Sequence, residues 1–120
     1  MFQKDFKPAL RFMVVSDIHY KDEPCVEEER MAKALQIAYR LSEESESYKK
    51  LDAVVVAGDM TEGGKESEYK IFMDIVNEKM KDETVLLSCM GNHEFIEYRD
   101  TDASVGYEVY KENVSQQLDV

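Results

Sequence analysis

Three short clusters of polar residues in this 120-residue sequence carry side chains that bind divalent metals. Together they contain two aspartates, an asparagine and both histidines of the chain. Carboxylate and neutral imidazole groups suit a borderline divalent cation. The clusters are Ser16-Asp17-Ile18-His19, Gly58-Asp59-Met60-Thr61 and Gly91-Asn92-His93-Glu94.

Each cluster directly follows a short apolar run rich in β-branched residues. The runs do not alternate with polar residues, so we expect strands that are covered on both faces of a sheet. Open parallel sheets bind their ligands beyond the carboxyl ends of the strands. The sequence therefore predicts that all three clusters meet at one sheet edge. The predicted strands are Phe12–Val15, Ala53–Ala57 and Val85–Leu87.

Two helical patterns separate the strands, which implies parallel pairing with right-handed crossovers. Pro24 and the acidic run Glu27–Glu29 suit the amino terminus of the first helix. A third helix is predicted over Ala103–Leu118, although Gly106 disfavours it. The apolar stripes that we assign to the core are Met31, Ala34, Leu35, Ala38 and Leu41 in the first helix, and Tyr69, Phe72, Met73, Val76 and Met80 in the second.

Electrostatic repulsion between the two aspartates favours a bound cation. If Asp17 and Asp59 converge, they repel each other by about 4 kcal/mol at a separation of about 4 Å and an effective dielectric constant of about 20. Either one of them takes up a proton or a cation lies between them. The nearby imidazole of His19 favours the cation.

Each cluster has a simpler interpretation when it is taken alone. Asp or Asn after a strand is common in turns, and a single histidine is more often a hydrogen-bonded loop residue than a ligand. We expect Glu62 and Glu94 to be solvated or capping residues rather than catalysts. Three such clusters in order, each at a strand end, favour a metal site.

The order Asp17-x-His19, Gly58-Asp59 and Gly91-Asn92-His93-Glu94 resembles the calcineurin-like metallophosphoesterase family over about residues 11–95. The resemblance implies an α/β fold, namely a four-layer α/β/β/α sandwich with mainly parallel strands and crossover helices. It also implies two divalent metal ions (Mn, Fe or Zn).

The resemblance further implies a role for each matching residue. Asp17 and His19 would bind the first metal, Asp59 would bridge both metals, and Asn92 would bind the second. His93 would be the catalytic residue that assists the leaving group. A metal pair of this kind holds the phosphoryl group and activates water.

The chain departs from the family in one respect. The family uses three further histidines, two of them in a Gly-His-x-His element, whereas both histidines of this chain are already assigned. We therefore expect at most one tightly bound cation. We interpret residues 1–120 as a truncated amino-terminal portion of a single metallophosphoesterase domain, and a naturally shortened relative is the alternative. In either case one apolar sheet face would be exposed, which predicts self-association.

Composition restricts the partners. A formal net charge of -11 disfavours a nucleic-acid backbone or an anionic membrane as the main partner. No stretch in the first ten residues resembles a signal peptide and no apolar run is long enough for a membrane helix. Cys25 and Cys89 form no metal or disulfide pattern, and Cys89 is predicted to be buried. We expect a cytoplasmic protein.

Three functions compete. The first is a phosphoesterase that hydrolyses phosphomonoesters or phosphodiesters of small molecules or proteins, weak or inactive in this chain because ligands are missing. The second is a non-catalytic binding scaffold with a degenerate site. The third, a phospho-acceptor domain, needs an acidic pair after the first strand and a lysine directly after a later strand, and the sequence has neither. The stretch Tyr98–Glu112 is the candidate substrate loop.

Overall fold

The computed structural model describes residues 7–21 and 26–114, and the strands and helices alternate along them. Three strands form one sheet in the order β1-β2-β3. The elements are β1 (Phe12–Val15), α1 (Val26–Glu44), β2 (Ala53–Ala57), α2 (Glu66–Lys79), β3 (Val85–Cys89), a 3-10 helix (His93–Tyr98) and α3 (Ala103–Asn113). The predicted α/β class with parallel strands is confirmed.

The register of the sheet brings all three strand ends to one edge. Both strand pairs are parallel, with Phe12 and Val85 flanking Ala53 on either side. At the other end Val15 lies opposite Val56, and Ala57 lies opposite Cys89. The loops that follow the three strands therefore leave the sheet side by side.

The hydrophobic core lies between one face of the sheet and the helices. Val54, Val56 and Leu86 point to this face and are at most 1% exposed. They belong to the same buried cluster as Leu35 of α1 and Phe72 of α2. Burial of each such side chain contributes about 1.5–3 kcal/mol, so this face carries most of the stability of the fold.

The opposite face of the sheet is open, so the prediction of strands covered on both faces is wrong. Phe12 and Val14 remain 54% and 57% exposed. Ala57 and Cys89 are also exposed, and the prediction of a buried Cys89 is therefore wrong too. Continuous apolar runs do not reveal which face is covered. Self-association through this face stays a prediction, which sedimentation of the purified chain would test.

Helix α1 has a wider apolar surface than the predicted stripe. Its buried row consists of Met31, Leu35, Tyr39 and Ser42. Leu41, predicted to be core, is 58% exposed. Together with Ala34, Ile37 and Ala38 it lines a groove of about 970 Å³ beside the start of β1. The acidic first turn is as predicted, whereas Pro24 and Cys25 lie outside the described residues.

Helix α3 begins where predicted but ends at Asn113, and Leu118 lies outside the described residues. The Asp102 carboxylate caps it by accepting from the Ser104 amide at 3.0 Å. Gly106 fits because a Cβ there would lie 3.0 Å from the Phe95 ring. Most of the candidate substrate stretch Tyr98–Glu112 is therefore helix, in agreement with the predicted third helix, and its role toward a substrate stays a prediction.

In the part of the chain that the structure describes, no helix combines the length and apolar character needed to cross a bilayer.

Candidate metal centre

Backbone hydrogen bonds continue beyond the ends of β1 and β2 and align the first two polar clusters. The amides of Asp17 and His19 donate to the carbonyls of Gly58 and Asp59 at 3.3 and 3.1 Å. Tyr20 then donates to Met60 at 3.0 Å. The two loops therefore run in parallel just past the sheet and cannot move independently.

Three residues of the clusters have an unusual backbone conformation. Asp17, His19 and Asp59 have φ values of 55°, 57° and 52°, and no other non-glycine residue among the described ones has positive φ. Aspartate and histidine tolerate this left-handed region better than most residues, yet it still costs of order 1 kcal/mol each. Such outliers cluster at ligand sites. Their position at the sheet edge indicates that the backbone here serves a site.

The side chains of these residues converge. His19 Nε2 lies 3.6 Å from Asp17 Oδ1 and 3.9 Å from Asp59 Oδ2. One ligand atom from each of His19, Asp59 and His93 lies within 4.8 Å of the other two. Ligand atoms that share one cation at about 2.1 Å are about 3–4 Å apart. The distances of Asp17 and Asp59 from His19 Nε2 fall in this range, whereas the 4.8 Å limit for the group that includes His93 extends beyond it.

Asn92 lies against Asp59 at the same site. Its side-chain amide is 3.2 Å from both carboxylate oxygens of Asp59, and with the nitrogen turned inward it donates to them. With the oxygen turned inward it adds a third acceptor beside the carboxylate, an arrangement that a cation stabilises. The His93 amide donates to Asp59 Oδ1 at 3.0 Å. The third cluster therefore meets the second at Asp59.

Glu62 contacts both histidine rings. Its carbonyl oxygen lies 2.7 Å from His93 Nδ1, and its carboxylate lies 3.3 Å from His19 Nδ1. The two rings are 4.2 Å apart in an edge-to-face arrangement. A proton on each Nδ1 satisfies these contacts and leaves Nε2 free, as in metal-binding histidines held by an outer carboxylate. Glu62 is half exposed, but it orients the histidines and is not merely solvated.

Glu94 is fully buried, so the prediction that it is solvated or capping is wrong. Its Oε1 accepts from the amides of Asp59 and Gly91 at 2.7 and 2.8 Å. Its Oε2 accepts from the amide and the hydroxyl of Thr61 at 3.1 and 2.9 Å. Four donors compensate the loss of water around a buried carboxylate. Glu94 ends the Gly91-Asn92-His93-Glu94 cluster, whereas the exposed Glu97 belongs to no motif, but nothing in the sequence indicates that Glu94 is buried.

Asp17 is the most solvent-accessible acid of the site. Its side chain is 66% exposed. The Ser16 hydroxyl donates to it at 2.6 Å, and this bond, followed by the nearby His19 ring, lowers the pKa of Asp17 below its ordinary value. Asp17 is therefore ionised at neutral pH, as a metal ligand must be.

Two glycines allow the second and third clusters to touch. A Cβ on Gly91 would lie 2.1 Å from Asp59 Oδ1. Gly58 has a φ of 81°, and a Cβ there would lie 3.0 Å from the Gly91 backbone. Only glycine permits this approach of the two backbones.

The sequence matches the model of the calcineurin-like phosphoesterase family over residues 10–118. The chain belongs to the calcineurin-like phosphoesterase family. Membership gives this chain a metallophosphoesterase-type fold and implies divalent metal ions. A search among curated proteins found no match.

In this calcineurin-like phosphoesterase, the five site residues predicted from the sequence lie together at one sheet edge. They are Asp17, His19, Asp59, Asn92 and His93. Two aspartates, two imidazoles and an amide form a donor set that fits manganese, iron or zinc. Sequence reasoning missed Glu94 and the contacts of Glu62.

Proposed function

We propose that this chain carries the metal-binding part of a phosphoesterase that hydrolyses phosphomonoesters or phosphodiesters. The proposed ligands of a divalent cation are Asp17, His19, Asp59 and Asn92. His93 assists departure of the leaving group. The observation that carries the proposal is the approach of ligand atoms from His19, Asp59 and His93 to within 4.8 Å of one another. Bound divalent cations supply Lewis acidity toward a phosphoryl group and neutralise its charge.

The residues of the chain divide the remaining work. A cation held by the acids and His19 would place positive charge at the sheet edge, where an otherwise acidic protein with a net charge of -11 would repel an anionic substrate. The Glu62 carbonyl holds His93 through Nδ1. This leaves Nε2 facing the site, where it takes up a proton to form the imidazolium and then gives that proton to the departing oxygen. The substrate class is a phosphoester of a small molecule or of a protein.

One feature favours a second candidate, the non-catalytic scaffold. The chain has only two histidines, and both already lie in this cluster. We therefore expect at most one tightly bound cation per chain and weak turnover. A scaffold would bind metal without hydrolysing any phosphoester.

Metal binding and hydrolysis measured together test the proposal. Mn²⁺ is titrated into the chain with detection by electron paramagnetic resonance, and hydrolysis of an aryl phosphate monoester and diester is followed. We expect one equivalent of Mn²⁺ and slow hydrolysis. Binding without hydrolysis supports the scaffold, whereas absence of Mn²⁺ binding contradicts both candidates.

A His93→Asn variant separates two roles for this histidine, since its ring lies close enough to be a ligand. If His93 acts on the leaving group, turnover falls by about 100-fold or more while Mn²⁺ affinity stays within about threefold. A parallel loss of Mn²⁺ affinity would instead make His93 a metal ligand.

A further inference from the structure

The buried carboxylate of Glu94 joins two of the three loops that form the metal centre. Oε1 accepts from the Asp59 amide at 2.7 Å and from the Gly91 amide at 2.8 Å. One oxygen atom therefore ties the loop after β2 to the loop after β3. Asp59 is itself a proposed ligand, and Gly91 directly precedes Asn92.

The second oxygen of Glu94 extends the connection along the loop after β2. Oε2 accepts from the Thr61 amide at 3.1 Å and from its hydroxyl at 2.9 Å. Glu94 thus fixes this loop at two points on either side of Met60. Hydrogen bonds to a buried charged group are among the stronger ones in proteins, so the loop has little freedom to shift.

The loops after β2 and β3 are packed as closely as their backbones allow. A Cβ on Gly91 would lie 2.1 Å from Asp59 Oδ1, and a Cβ on Gly64 would lie 2.1 Å from the Glu94 carbonyl oxygen. Because the loops are in contact at both of these places, we expect a change in the hydrogen bonds of Glu94 to displace Asp59 relative to Asn92.

A second buried glutamate provides a comparison. Glu68 is 3% exposed, and its Oε1 accepts from the amides of Gly63 and Lys65 at 3.0 Å each. It forms a capping box at the start of α2. Glu68 thus has the same chemistry as Glu94. Neither of its donors belongs to a proposed metal ligand, and the Gly63 amide is linked to the site only through the Glu62 carbonyl, which contacts His93.

We infer that Glu94 is a positioning residue, whose carboxylate fixes the separation of Asp59 and Asn92 and thereby sets the affinity of the centre for a divalent cation. The inference rests on the metal site proposed above. Outer-shell groups that hold ligands in place typically change metal affinity by about 10- to 100-fold when they are removed.

The test compares Glu94→Gln with Glu68→Gln in the full 120-residue chain. Glutamine keeps the shape, but its NH₂ group faces amide donors, so both variants lower the thermal midpoint of unfolding. Mn²⁺ affinity is measured by electron paramagnetic resonance at a temperature where both variants are folded. We expect about 10- to 100-fold weaker binding for Glu94→Gln and less than about threefold change for Glu68→Gln.

Equal Mn²⁺ affinity in Glu94→Gln and in the unchanged chain would overturn the inference and leave the proposed function standing. An unchanged chain that binds no Mn²⁺ would overturn the proposed function as well. If Glu94→Gln does not fold, Thr61→Val replaces it, since this change removes one of the four donors. Binding weaker by about threefold or more supports the inference, and unaltered binding contradicts it.

Discussion

The two ends of the sheet use aspartate in opposite ways. At the amino end, Asp52 accepts from the Arg11 amide at 2.9 Å and from the Tyr48 hydroxyl at 2.8 Å. At the carboxyl end, Asp17 and Asp59 both face the Nε2 atom of His19 at nearly 4 Å. The Asp52 carboxylate is satisfied by hydrogen-bond donors within the protein. Asp17 and Asp59 instead lie close together, next to the same histidine ring.

The amino end is a continuous hydrogen-bonded structure. The Thr84 hydroxyl donates to the Leu51 carbonyl at 2.8 Å and contacts the Tyr39 hydroxyl at 2.6 Å. Tyr39 accepts from the Lys81 amide at 2.8 Å. Arg11 binds the carbonyls of two residues before β2. This end needs no ligand to satisfy its polar groups.

The carboxyl end combines backbone strain with converging acids. All three positive-φ residues other than glycine in the described ranges lie here. The polar network of the amino end and the proposed ligand site thus lie at opposite edges of one sheet. Substitutions at the two ends are therefore expected to separate folding stability from metal binding.

The largest effect is expected from Asp59→Asn. Asparagine tolerates the left-handed backbone and can still accept from the His93 amide, but it lacks the charge. Mn²⁺ affinity should fall more than about 100-fold, beyond the loss typical of outer-shell changes. The free energy of unfolding of the metal-free chain should not fall, because the substitution removes the repulsion between Asp17 and Asp59.

Isothermal titration and urea unfolding measure the two quantities. The control is Asp74→Asn, which removes an exposed acid paired with Lys70 on α2. This variant should retain the original affinity. A similar loss of affinity in both variants would show that overall charge, rather than the site, attracts the metal.

The next effect is expected from Gly91→Ala. The new Cβ would lie 2.1 Å from Asp59 Oδ1 and 2.6 Å from the Asp59 amide nitrogen. The two loops must separate, so we expect a loss of about 2 kcal/mol in unfolding free energy and weaker Mn²⁺ binding. Gly63→Ala is the matched control, since only Glu68 Oε1, at 3.5 Å, lies near its Cβ. Equal losses in both variants would contradict the close approach.

A smaller effect is expected at the amino end from Thr84→Val. This change keeps the volume but leaves the Leu51 carbonyl without its donor in a buried place. We expect a loss of about 1–2 kcal/mol in unfolding free energy and unchanged Mn²⁺ affinity. Thr101→Val, at an exposed hydroxyl, should change stability by less than about 0.5 kcal/mol. Weaker Mn²⁺ binding in Thr84→Val would contradict the expectation that substitutions at the amino end leave the metal site unaffected.

The smallest effect is the pH dependence that Asp52 contributes. The Arg11 amide, followed by the Tyr48 hydroxyl, lowers the pKa of Asp52 below its ordinary value of 3.8. Its contribution to stability is therefore complete above that value and is lost as the pH falls through the lower pKa of the folded state. Urea midpoints measured down to about pH 3 should fall less steeply for Asp52→Asn. Parallel slopes would contradict this role.

The strands and the convergence of their loops were predictable because both depend on local pattern. Apolar runs such as Phe12–Val15 and Ala53–Ala57 form strands as expected, and parallel pairing brings the following residues to one edge. The strands alone did not predict the open face, because Val14 and Val54 both lie within continuous apolar runs; an exposed face was expected only from the incomplete family pattern. Only the packing of the helices distinguishes them.

The roles of the glutamates were also not predictable from the sequence. Glu94 and Glu97 lie three residues apart in one 3-10 helix, and tertiary packing alone buries the first. No periodic pattern of apolar residues in the sequence predicts the 3-10 helix. Predictions about the domain boundary and the cytoplasmic location stay predictions.

The backbone of Asp17, His19 and Asp59 has a consequence for protein engineering. Glycine at any of these positions would relieve conformational strain of order 1 kcal/mol. A library of variants selected only for heat resistance should therefore accumulate glycine there and discard the metal ligands. Selection for thermal stability and retention of the proposed metal ligands therefore favour different residues at these three positions.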